Sequence, residues 1–77
     1  MEIKVLLFGE LAELAGSEKL LLNNIDSTSE AIELLRSTYP ALASKKYAIA
    51  LNKQLIKDTQ PMINGDELAL LPPFSGG

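Results

Sequence analysis

One stretch limits what this chain can fold into more than any other. Residues 27–40 read Ser-Thr-Ser-Glu-Ala-Ile-Glu-Leu-Leu-Arg-Ser-Thr-Tyr-Pro. Ser27 stands three residues before Glu30, the spacing of a capping box, in which the hydroxyl accepts from the Glu30 amide and the carboxylate reaches back. Thr28, Ala31, Ile32, Leu35 and Tyr39 fall on one side of a helical wheel, with Ser29, Glu30, Glu33, Arg36 and Ser37 on the other. Pro40 ends the pattern. A single amphipathic helix must bury its apolar side against something, and the segments around it alternate with the period of strands.

Residues 2–8 set Ile3, Val5 and Leu7 against Glu2, Lys4, Leu6 and Phe8, and read as a strand. Residues 9–16 place good helix formers between two glycines, predicting one short helix stopped at Gly16. A second strand is expected over 19–22, ending at Asn23-Asn24. Tyr47, Ile49 and Leu51 alternate with Ala48 and Ala50 as a third. Asn52-Lys53 is a turn into a brief strand over 54–56. Asn64-Gly65 is a strong turn signal, and a last strand follows over 67–71. Residues 41–46 have no decisive pattern. The order is that of an α+β fold, a mixed sheet with one main helix packed across one face, matching the β-grasp or ubiquitin-like architecture. One domain is expected over 1–77, with 71–77 as an extended C-terminal tail.

Composition removes most chemistry. The 77 residues contain no cysteine and no histidine, so disulfides, thiolate zinc sites, a cysteine nucleophile and a histidine general base are all unavailable. Any metal site would rest on carboxylates, and none is expected; Glu10 with Glu13, and Asp66 with Glu67, read as solvated surface. A net charge of −3 argues against a nucleic-acid partner, whose phosphates need clustered Lys and Arg. Lys45-Lys46 reads as a solvated turn. The charged opening Met1-Glu2-Ile3-Lys4 does not resemble a signal peptide, and the apolar run over 68–73 is far below the roughly 20 residues that span a bilayer. The expectation is a cytoplasmic protein without a membrane partner.

The chemistry that remains is at the end of the chain. Leu71 runs into Pro72-Pro73-Phe74-Ser75-Gly76-Gly77. Prolines cannot extend sheet pairing and favour an extended path. Six residues beyond Leu71 reach roughly 20 Å at about 3.3 Å each. A glycine pair, lacking Cβ atoms, can thread a channel too narrow for side chains. A carboxylate presented in this way is a poor catalyst and a good substrate. Adenylation by an ATP-using partner would turn its oxygen into a leaving group, and a sulfur nucleophile displacing AMP would leave a thiocarboxylate at Gly77.

The residues that carry this argument also carry a family resemblance. They are Ile3-Lys4-Val5 with Leu7-Phe8, then Leu11-Ala12-Glu13-Leu14-Ala15-Gly16, then Ala50-Leu51-Asn52. The most specific is Ile63-Asn64-Gly65-Asp66-Glu67-Leu68-Ala69-Leu70-Leu71-Pro72-Pro73 running into Ser75-Gly76-Gly77. Over essentially its whole length the chain resembles the small, sulfur-carrying subunits of molybdopterin synthase, within the MoaD/ThiS group. Phe74 stands where that group often has valine, and Asn64 where it often has aspartate.

The resemblance implies the following roles. Gly77 is adenylated by an E1-like adenylating enzyme, receives sulfur from a sulfur-donating enzyme, and enters the large synthase subunit. There it donates sulfur to a cyclic pyranopterin precursor in molybdenum cofactor biosynthesis. Gly76 is its unobstructed neighbour, and Pro72, Pro73, Phe74 and Ser75 are the tail that fits the partner channel. No cofactor is bound by the chain itself; ATP belongs to the activating partner. A ubiquitin-like modifier forming isopeptide bonds with lysines, or a carrier for thiamin, cysteine or tRNA thiolation, is the alternative. Independently of the resemblance, strand parity puts Leu6, Phe8 and Leu71 on the face of the sheet away from the helix. They form a candidate docking patch unless residues 41–46 cover it.

Overall fold

The computed structural model describes residues 2–73. Its elements run β1 (Glu2–Leu7), α1 (Glu10–Ala15), β2 (Lys19–Asn23), α2 (Thr28–Thr38), a 3-10 segment (Pro40–Ser44), β3 (Ala48–Leu51), β4 (Gln54–Ile56) and β5 (Glu67–Leu71). Five strands form one mixed sheet in the order β2-β1-β5-β3-β4. β1 and β5 are parallel neighbours at its centre, with Val5 opposite Leu68 and Leu7 opposite Leu70. The other pairings are antiparallel.

Strand parity decides what is buried. Ile3, Val5 and Leu7 of β1 and Leu68 and Leu70 of β5 are buried together with Ala31 and Leu35 of α2, so the helix lies across that face of the sheet. Tyr39, Tyr47, Ile49 and Leu51 pack around this core half-buried, as their spacing predicts. The helix begins as its sequence requires: Ser27 Oγ accepts from the Glu30 amide at 3.3 Å. Glu30 Oε1 accepts from the Asp26 amide at 3.0 Å, one residue earlier than the reciprocal bond of an ordinary capping box. Gly16 ends α1 in the left-handed region at φ 74°, its amide donating to the Ala12 carbonyl at 2.8 Å.

The segment without a sequence pattern turns out to be structural. Pro40–Ser44 forms a 3-10 turn against α2 and α1 and drives Leu42 into the core at 1% exposure. Ile25 and Met62, in irregular chain, are buried as well. Asn52 and Lys53 both adopt positive φ, as a two-residue hairpin turn with right-handed strand twist demands. Asn64-Gly65 does turn, although between irregular chain and β5 instead of inside a hairpin. The Asn64 Oδ1 accepts from the Glu2 amide at 2.6 Å, and the Gly65 amide donates to the Glu2 carbonyl at 2.8 Å. Asp66 is more than solvated surface. It accepts from Asn52 Nδ2 at 3.0 Å and from the Ile63 amide at 2.8 Å, tying the β3–β4 turn to the start of β5.

Candidate functional site: the open sheet face and the departing chain

Among the described residues, no helix lies over the face of the sheet opposite α2. Directly paired residues share a face, so the registers can be read across all five strands. One row runs Lys19, Leu6, Ala69, Ala50, Leu55 from β2 to β4. Beside it, Leu71 of β5 stands opposite Ala48 of β3, and Phe8 lies just past the end of β1. The Phe8 amide donates to the Leu70 carbonyl at 3.2 Å, which continues the β1–β5 ladder by one bond and places Phe8 next to Leu71. The structure therefore brings Leu6, Phe8 and Leu71 together. Leu6 and Leu71 are half-buried; Phe8 is 43% exposed.

The 3-10 segment Pro40–Ser44 does not cover this patch. The 3-10 segment packs on the opposite side, with α1 and α2. Strand periodicity alone had missed the remainder of the face. Leu55, at 72% exposure, extends it to the β4 edge, and Ala48, Ala50 and Ala69 pave the middle. The signal for the alanines was present in their parity, opposite to Tyr47, Ile49 and Leu51. Leu55 gave no such signal, because a three-residue strand has no period and its face depends on the register that the Asn52-Lys53 turn imposes.

The rim of the face is charged. In the row below Leu6, Lys4 pairs Glu67 on one side and Leu21 on the other. Next to Phe8, an open cavity of about 700 Å³ is lined by apolar residues including Leu6 and Ala12, with Glu10, Glu13, Glu18 and Lys19 as its charged members. Glu10 also meets Lys45 at 3.7 Å, with both side chains substantially exposed. Among the described residues no three Asp or Glu side chains are grouped so as to hold a metal ion, and no helix is long and apolar enough to cross a membrane.

β5 ends on this face. Leu71 closes the ladder opposite Ala48, and the chain leaves the sheet through half-buried Pro72 and exposed Pro73. Phe74, Ser75, Gly76 and Gly77, the remaining tail residues and the candidate reactive carboxylate, lie outside the described residues.

A family model, the ThiS family, matches residues 5–77. The chain belongs to the ThiS family. Among its relatives, the molybdopterin synthase sulfur carrier subunit of Chlamydomonas reinhardtii is 35% identical over 83 residues, covering 100% of both chains. That of Escherichia coli is 32% identical, covering 97% of this chain and 99% of the relative. In three dimensions this ThiS-family chain is similar to small archaeal modifier protein 1 from Haloferax volcanii, with a TM-score of 0.84 at 30% identity and 100% coverage of both. It is also similar to a chain in a complex of subunits 1 and 2 of the molybdopterin-converting factor from Helicobacter pylori, with a TM-score of 0.74 at 29% identity and 100% coverage of both. The β-grasp architecture expected from the element order is the one these neighbours share with the fold described above.

Proposed function

We propose that this chain is the sulfur carrier of a molybdopterin synthase, with the C-terminal carboxylate of Gly77 as its one reactive group. The observation that carries the reading is where β5 ends. Leu71 stands beside Phe8 on an uncovered apolar face, and Pro72 and Pro73 take the backbone off the sheet at that point. A partner that docks on the face is therefore placed where the chain departs toward the terminus. Full-length relatives named as sulfur carrier subunits support the same assignment.

The chemistry follows from what a carboxylate lacks. Its oxygen is a poor leaving group, so an E1-like adenylating enzyme first joins it to the α-phosphorus of ATP, releasing pyrophosphate. A sulfur nucleophile supplied by a sulfur-donating enzyme then displaces AMP, leaving a thiocarboxylate. The large synthase subunit receives that group with Gly76 and the tail in its channel, and the sulfur passes to the pyranopterin precursor. Acid–base groups and ATP belong to the partners. The chain supplies a docking face of Leu6, Phe8 and Leu71, a stiff exit through Pro72 and Pro73, and the terminal group.

A second reading is favoured by the likeness to small archaeal modifier protein 1. It uses the same activated carboxylate with a lysine amine in place of sulfur. Incubation with ATP, an adenylating enzyme and a sulfur source, followed by intact-mass spectrometry, separates the two. Replacement of one oxygen by sulfur at Gly77 is the expected result. Lysine conjugates alone would establish the modifier, and no change with an enzyme active on a control carrier would overturn both.

A further inference from the structure

The turn that joins β1 to α1 lies against the first residue of the departing chain. Gly9 has φ 57° and ψ −134°, a conformation that only glycine adopts readily. A Cβ built there would lie 2.9 Å from Pro72 Cγ and 3.9 Å from Pro72 Cδ. The first distance is below any ordinary carbon–carbon contact. The other described glycines with positive φ differ in this respect: at Gly16 (74°) and Gly65 (89°) a Cβ would meet nothing within 4 Å. At Gly9, two requirements therefore coincide, one for backbone freedom and one for space.

Both sides of this contact are held. Leu11 is fully buried, which seats the start of α1 on the core, and the Ala12 amide donates to the Gly9 carbonyl at 3.1 Å. On the other side, Leu71 is paired with Ala48, and the Phe8 amide binds the Leu70 carbonyl. Pro72 has no N–H and cannot continue the ladder. Beyond Leu71, the backbone thus loses sheet pairing at the position where its ring meets Gly9.

We propose that Gly9 is a positioning residue for the tail. Because it presents no side chain, Pro72 packs directly on the β1–α1 turn, and that seat sets the direction in which the backbone leaves the sheet. Restoring even a 3.4 Å contact to an added methyl moves the Pro72 ring or the turn by at least about 0.5 Å. Any tilt of the ring is passed to Pro73 through the backbone. The inference rests on the carrier reading only in its kinetic consequence; the seat itself is a structural statement.

The test uses the full chain in three variants. G9A adds the methyl, G16A places an alanine at positive φ in the milder left-handed helical region where there is open space, and G9A/P72A removes the ring that the methyl would strike. In NMR spectra, G9A should shift the Leu70 and Leu71 amide signals and the Pro72 carbon signals, whereas G16A leaves them in place. With an adenylating enzyme and ATP, read by pyrophosphate release, G9A should raise KM for the carrier about tenfold with a smaller change in kcat. G16A should lower Tm without moving KM, and G9A/P72A should return KM to the value of P72A alone. Equal spectral effects of G9A and G16A, or a double variant no better than G9A, would overturn the proposal. If G9A does not fold, P72A and P73A decide: P72A should move the Gly9 amide signal and P73A much less, and equal shifts overturn it. If the wild-type chain is not adenylated at all, the carrier reading fails while the spectra still decide the seat.

Discussion

Removing the ring of Phe8 tests the docking face most directly. Phe8 is 43% exposed. With roughly 200 Å² for a phenylalanine side chain, about 90 Å² is open to a partner, worth about 2 kcal/mol when covered. Phe8→Ala should therefore weaken binding to a large synthase subunit about 30-fold. The buried remainder of the ring supports the domain, so stability should also fall by about 2 kcal/mol, roughly half the cost of emptying a fully buried phenylalanine site. A small domain with at least about 5 kcal/mol of stability stays folded after that loss. Titration calorimetry gives the affinity, and circular dichroism at the same temperature confirms the fold. Leu34→Ala is the matched control: Leu34 is 41% exposed but sits on α2, across the sheet from the open face. The reasoning is refuted if Phe8→Ala binds within threefold of wild type, or if Leu34→Ala weakens binding as much.

Three further outcomes follow from the backbone and its caps. Lys53 is held at φ 73° in the β3–β4 turn, where a side chain costs about 1 kcal/mol and glycine's greater freedom in the unfolded chain returns part of it. Lys53→Gly should raise stability by about 0.5 kcal/mol and Tm by about 3 °C in calorimetry, and a fall in Tm would contradict the turn assignment. Ser27→Ala removes the acceptor for the Glu30 amide and should cost about 1 kcal/mol, seen as a lower urea midpoint at unchanged slope. Asp66→Ala leaves Asn52 Nδ2 and the Ile63 amide without their acceptor, and should cost about 2 kcal/mol with faster exchange of the Ile63 amide.

Much of this molecule was legible in one dimension because its periodic segments are long enough to declare a face. The α2 helix was readable from a capping serine, three turns of spacing and a proline. The central strands were readable from Ile3, Val5 and Leu7 and from Leu68 and Leu70. The docking candidates Leu6, Phe8 and Leu71 came from the same parity, since residues that are not on the helix side must be on the other. Leu42, Ile25 and Met62 were not legible as core. They lie in irregular chain, where no period marks a side and burial depends on which neighbours arrive.

The amino-acid order by itself determined the catalogue of chemistry: no thiol, no imidazole, and a Gly76-Gly77 pair approached through two prolines. These facts need no coordinates, because residue type alone limits what can ionise, ligate or attack. Only the tertiary structure decided what stands beside the departing chain. Parallel pairing of β1 with β5 sets Phe8 next to Leu71, and the β3–β4 register adds Leu55 to the same face. The seating of α1 on the core brings Gly9 against Pro72 across 63 positions of sequence (72 − 9). The reason is physical: a strand's period names a face, but adjacency between distant segments is set by register and packing, which no local pattern encodes.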